Sequence, residues 1–99
     1  MTRYIKGHES ANVRMIESGN KLLLVSYTTT VCTVDAGGWL TCTGLYSATT
    51  RKHIGWFCRN EGYAIGYNAV KKAYEDDMCV NIWTGEYRPM NNERTAAAV

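Results

Sequence analysis

Apolar residues recur along this chain at two spacings, first every second residue and later every three to four, and the change of period sets out the fold. Val13 and Met15-Ile16 alternate with polar neighbours, and Ser18-Gly19-Asn20 then supplies turn chemistry before Lys21-Leu22-Leu23-Leu24-Val25-Ser26-Tyr27. This reads as a β-hairpin. Thr28-Thr29-Thr30-Val31-Cys32-Thr33-Val34-Asp35 follows with many β-branched residues and no Gly or Pro, so it continues the second strand as one long, bent strand. Leu23, Val25, Tyr27 and Val31 share one parity, whereas Cys32 and Val34 take the other, which predicts a bulge or change of face between Thr28 and Val31. Ala36-Gly37-Gly38 turns the chain into Trp39-Leu40-Thr41-Cys42-Thr43-Gly44-Leu45-Tyr46, giving at least three antiparallel strands.

The helical period starts next. Ser47, Thr49 and Thr50 offer hydroxyls that cap a helix, and Gly62 stands where a left-handed residue closes one, so the first helix spans Ala48 to about Glu61. Thr50, Ile54, Phe57 and Cys58 share the face that should cover the sheet, with Lys52, Trp56 and Arg59 opposite. After Tyr63-Ala64-Ile65-Gly66-Tyr67, Asn68 caps a second, shorter helix through Asp77 that buries Val70, Ala73 and Tyr74. Met78 to Trp83 alternates as a last strand, ended by Thr84-Gly85. The order predicts an α+β fold: an antiparallel sheet, a meander of three to four strands plus a C-terminal strand, with two helices packed on one face.

Composition adds limits. Ninety-nine residues with 45% hydrophobic content and one Pro allow a single core, read as one domain over residues 1–90. Residues 91–99, ending Ala96-Ala97-Ala98-Val99, have little to pack against and read as a disordered tail. Neither a leader-like apolar region nor a membrane-length apolar run occurs, so the expected location is the cytoplasm, with no membrane partner. There Cys32, Cys42, Cys58 and Cys79 read as reduced, buried thiols, and with no C-x-x-C among them they offer zinc little.

The net charge is +2, but it is unevenly spread. Residues 1–60 carry seven Lys/Arg against three acids, and residues 61–99 carry four against six. Most unusual is the start of the first helix, where Arg51 and Lys52 occupy the end at which the macrodipole favours anions. In one reading the free N–H groups, the hydroxyls of Ser47, Thr49 and Thr50, and Arg51, Lys52 and His53 converge on a phosphate. In another, Glu75, Asp76 and Asp77 at the end of an antiparallel second helix neutralise Arg51 and Lys52. Plain solvation is the third. Trp56 flanked by Lys52 and Arg59 has the composition of a contact hot spot or a base-stacking surface, unless the second helix or the N-terminal segment covers it.

Catalytic readings are poor, and no enzyme is expected. His53 and Cys58 point in different directions on the helix, and His53 reads as a surface residue. Glu75-Asp76-Asp77 lacks the ligand spacing and central Gly of a calcium loop, and Gly37-Gly38 is a turn rather than a phosphate loop, so no cofactor is expected.

Ser26-Tyr27-Thr28-Thr29-Thr30-Val31, and more distinctively Tyr46-Ser47-Ala48-Thr49-Thr50-Arg51-Lys52-His53-Ile54 followed by Phe57 and Gly62, resemble a family of short uncharacterised proteins from phages and other mobile elements of prokaryotes. The chain departs from that pattern at Trp56 and Cys58, where a small and an aliphatic residue are expected. The resemblance implies an origin and no mechanism. Because small accessory phage proteins often act by binding, it makes a non-catalytic inhibitor of a host defence factor, in the manner of an anti-CRISPR protein, the leading expectation. The expected partner is then a host protein, such as a defence nuclease complex, met by the first helix and an exposed sheet edge. The alternative is a nucleic-acid-binding accessory protein that sets Arg51, Lys52, His53 and Arg59 on phosphates. An odd edge strand would favour a homodimer, which the residues leave open.

Overall fold

The computed structural model describes residues 1–90; the expected tail at 91–99 lies outside the described residues. Seven strands form one antiparallel sheet: β1 (Thr2–Arg3), β2 (Val13–Ser18), β3 (Lys21–Ser26), β4 (Thr29–Val34), β5 (Trp39–Cys42), β6 (Met78–Asn81) and β7 (Tyr87–Pro89). They lie in chain order, and α1 (Ala48–Asn60) and α2 (Tyr67–Glu75) interrupt the meander between β5 and β6. The expected α+β class is what the chain adopts. It has two to three strands more than its alternation suggested: β1 and β7 are too short to show a period, and the stretch read as one long strand is two.

The β2–β3 hairpin turns at Gly19-Asn20, with Ser18 opposite Lys21 and Gly19 at φ +62°. The expected long strand from Lys21 to Asp35 is instead a second hairpin, since Ser26 pairs with Thr29 around Tyr27-Thr28. Tyr27 takes φ +56°, a conformation costing a non-Gly residue about 1–2 kcal/mol. Tertiary contacts hold it there: its N–H donates to the Asn12 carbonyl at 2.7 Å, and its carbonyl accepts from Arg14 Nη1 at 3.1 Å. No local signal marked this turn because long-range bonds stabilise it.

A bulge does fall in this region. Leu24 faces Cys32 while Val25 faces Thr30, so Val31 is the extra residue and both Val31 and Cys32 can be buried. With Met15, Leu24, Leu40 and Val80 they meet Ile54 and Phe57 of α1 and Val70 and Ala73 of α2 in one core. All four cysteines are buried thiols, none in a disulfide. Cys32 stands opposite Cys42; the hydrogen bond between them, and then burial, push the Cys32 thiol well above its usual range.

Helix ends are set by local chemistry. Ser47 caps α1 by accepting the Thr50 N–H at 3.1 Å. At the other end Gly62, at φ +69°, donates to the Arg59 carbonyl and Tyr63 N–H reaches the Cys58 carbonyl, a Schellman closure that Tyr63 reinforces by packing edge-on against Phe57. In α2 the cap is Gly66, without a side-chain bond, rather than Asn68, which lies inside the helix; Tyr74 is half-buried beside buried Val70 and Ala73.

Gly38, at φ +84° in the β4–β5 turn, lies under the Trp83 indole, where a Cβ would come within 2.9 Å of the ring. Gly38→Ala is expected to lower stability by about 1–3 kcal/mol, seen as a reduced urea midpoint at unchanged m-value. An unchanged midpoint would show that neither the turn conformation nor the Trp83 contact constrains the residue.

Candidate functional site

The helix whose first turn carries the wrong charge for its dipole has two chemically different sides. On the inner side Thr50, His53, Ile54, Phe57 and Cys58 are buried. Thr50 and His53 therefore leave the expected contact set: only 4% and 2% exposed, they face the end of β3 rather than a partner. Ser26 Oγ lies 2.8 Å from His53 Nδ1 and 3.4 Å from Thr50 Oγ1, and Ser47 Oγ donates to Thr50 Oγ1 at 3.2 Å. Burial, with a smaller contribution from His8, holds the His53 imidazole below its ordinary value of 6.5, so it is neutral at pH 7. This network joins the two stretches singled out in the sequence, Ser26-Tyr27 and Ser47 to His53, although 20 or more residues separate them. His53 is not the surface residue the helical pattern suggested, because the Ser26 hydroxyl beneath it gives its ring a hydrogen-bond partner in the interior.

The outer side carries Arg51, Lys52 and Arg59, all exposed, and half-buried Trp56. Lys52, Trp56 and Arg59 fall in line one turn apart. Pairing of the first turn with the acidic end of α2 does not occur as expected: Glu75 lies 3.9 Å from Lys71, and Asp76 lies 2.9 Å from Lys72, each one turn back on its own helix. No ion pair engages Arg51, Lys52 or Arg59 among the described residues. Ser47 is exposed but committed to capping, and Thr49 is half-buried beside it.

The N-terminal segment, one of the two elements that the sequence offered as a cover for Trp56, is the one that covers a face of it. His8 stacks on Trp56, with ring centroids 3.7 Å apart and planes 6° from parallel, and the His53 ring tilts against the same indole at 5.4 Å. Buried Ile5 anchors this segment, and Lys6 N–H donates to Asn60 Oδ1 at 3.0 Å. Between segment and helix lies a cleft of about 350 Å³ lined by Ile5, Lys6, His8, Trp56, Arg59 and Asn60. A second cleft, of about 410 Å³, runs from Gly55 and Arg59 over Gly62 and Gly66 to Tyr63 and Tyr67. Arg59 is common to both. Cys58 also borders the second cleft, but burial pushes its thiol up to about 12, so it is protonated and unreactive.

The sheet edges offer less than expected. β1 has two residues, and β7 has three and ends on Pro89, which cannot donate to a further strand. No group of three or more His, Cys, Asp or Glu residues that could hold a metal ion occurs among the described residues. No described helix is long and apolar enough to cross a membrane.

A family model described as a family of unknown function (DUF8033) matches residues 3–77, from β1 through both helices, leaving β6 and β7 outside the match. No curated protein and no solved structure matches the chain.

Proposed function

The chain belongs to that family of unknown function, and from this premise we propose that it is a small, non-catalytic accessory protein of a phage or other mobile element that binds and inhibits a host defence protein. Its contact surface is the outer face of α1 with the N-terminal segment. The phage origin rests on the resemblance carried by Ser26 to Val31 and Tyr46 to Ile54, and the work is placed in the host cytoplasm on the same ground.

The observation that carries the binding reading is the distribution of unpaired charge. Among the described residues Arg51, Lys52 and Arg59 stand exposed without an ion-pair partner beside Trp56, while Glu61 pairs with Arg3, and Glu75 and Asp76 pair with Lys71 and Lys72 of α2. An aromatic side chain set among arginines and lysines is the composition in which binding energy concentrates. A non-catalytic role is supported by the burial of the Ser26–His53 pair, the nearest approach here to a nucleophile with a base: both residues are 2% exposed, which keeps a substrate from them.

Nucleic-acid binding, the second reading, draws on the same free cations. It meets an obstacle at Trp56, where His8 already occupies one face of the indole on which a base would stack.

The test is affinity capture from infected prokaryotic host cells. A host protein should co-purify with the wild type and be lost with Lys52→Glu and with Trp56→Ala; retention by both variants defeats the assignment of the surface. Oligonucleotide binding is measured in parallel. A salt-dependent affinity whose log–log slope falls by about two in an Arg51→Ala, Lys52→Ala variant decides for nucleic acid instead.

A further inference from the structure

Resting on that reading of the α1 surface, we infer that the two clefts meeting at Arg59 form one groove that takes an extended, acidic segment of the partner protein, laid across α1 at Gly55. The groove begins between Lys6 and Arg59, with the His8–Trp56 stack as one wall, and continues past Arg59 between Tyr63 and Tyr67. Its combined size and aromatic walls suit a peptide better than a flat protein face.

Charge complementarity identifies the occupant. Lys6 and Arg59 hold no ion pair among the described residues. The acids around the groove are already engaged. Glu61 receives Arg3 through both carboxylate oxygens, at 3.0 and 3.3 Å, and also accepts from Asn60 at 2.8 Å. Glu9 turns its carboxylate onto the Gly7 N–H at 3.2 Å. Glu9 nevertheless stays an anion within electrostatic reach of Lys6. That leaves Arg59, common to both clefts and without an ion pair among the described residues, as the cation for which an acidic side chain supplies the partner.

Gly55 fits the same occupant. It is an interior residue of α1, where Gly is unfavourable relative to Ala. Packing does not require it, since a Cβ there would meet only Tyr67 Cβ at 3.8 Å, an ordinary contact. Gly62 and Gly66, further along the groove, have nothing within 4 Å of a Cβ. The floor is therefore open to a second backbone, and side chains added at Gly55 would fill the groove without disturbing the core.

A protein segment is favoured over a single nucleic-acid strand because the stacking face of Trp56 is occupied and the far half of the groove carries tyrosines and glycines rather than further cations. The probes are a random peptide library displayed on filamentous phage and, separately, labelled oligothymidylate, each against the whole protein. Enriched peptides should be rich in Asp and Glu. Their affinity should fall about tenfold in Arg59→Ala and at least as far in Gly55→Gln, while Gly55→Ala and Gly55→Gln keep or raise the melting temperature. That combination, a helix made no less stable and a ligand lost, is one that mere structural damage does not produce. Absence of acidic enrichment, unchanged affinity in both Arg59→Ala and Gly55→Gln, or tighter binding of oligothymidylate than of the selected peptides overturns the inference. If the groove variants leave affinity unchanged while host-protein capture still depends on Lys52 and Trp56, the groove fails and the α1 surface stands; if capture is also indifferent to Lys52 and Trp56, both fail.

Discussion

Phe57→Ala is expected to destabilise the protein by about 3–5 kcal/mol, a large part of the roughly 5–15 kcal/mol that holds a domain of this size together. Phe57 is the largest fully buried side chain that α1 sends into the core. Its ring meets Tyr63 edge-on at 5.4 Å, and Tyr63 meets Trp83 in the same way at 5.6 Å, so the residue links α1 to the loop that follows the helix and to the turn after β6. Removing it deletes transfer energy and leaves a cavity that the close sheet residues cannot fill. Urea unfolding followed by far-ultraviolet circular dichroism measures the loss. Ile54→Val, one turn earlier on the same face, serves as the small-deletion comparison at about 0.5–1.5 kcal/mol. A loss below about 1 kcal/mol for Phe57→Ala would mean that α1 is not seated on the sheet, and the surface it presents would lose its platform.

The parts of this architecture that were legible in the residues are those decided locally. The period change, the Ser47 cap and Gly62 set the bounds of α1 to within a residue, because a capping hydroxyl and a left-handed glycine act within one turn. The β2–β3 hairpin was equally plain from Gly19-Asn20. What could not be read depends on distant partners. Tyr27 bears a left-handed turn only because Asn12 and Arg14 hold its peptide groups. His53 looks polar and therefore external until Ser26, 27 residues earlier, satisfies it in the interior. The same applies to the site. Lys52, Trp56 and Arg59 follow from helical spacing, but nothing in the pattern around His8 foretells that it stacks on Trp56; the pairing of Glu75 and Asp76 with Lys71 and Lys72, by contrast, is local and lies in their i,i+4 spacing.

His53 carries the second large effect, because the outer surface of α1 rests on its buried side. His53→Ala is expected to cost about 2–4 kcal/mol, since it opens a cavity beside Trp56 and strips the buried Ser26 hydroxyl of its imidazole partner. Ser26→Ala removes the hydroxyl instead and leaves Nδ1 unpaired in the interior, at about 1–3 kcal/mol. If the pair acts as one unit, the double variant loses less than the sum of the two. The pH dependence gives a signature that packing alone does not. Burial lowers the folded imidazole below the 6.5 of the unfolded chain. Above about 6.5 both states are neutral at this residue and its contribution is complete. As the pH falls from there toward the folded value, the unfolded state binds the proton first, and stability declines. Comparing wild type with His53→Gln by urea midpoints between neutral and acid pH cancels the titrating groups remote from this residue. The difference should shrink as the pH drops, since only the wild type loses stability at this position. A difference that stays constant through the range would show that the imidazole titrates as it does in the unfolded chain, and the buried bracket beneath Trp56 would then be open to water.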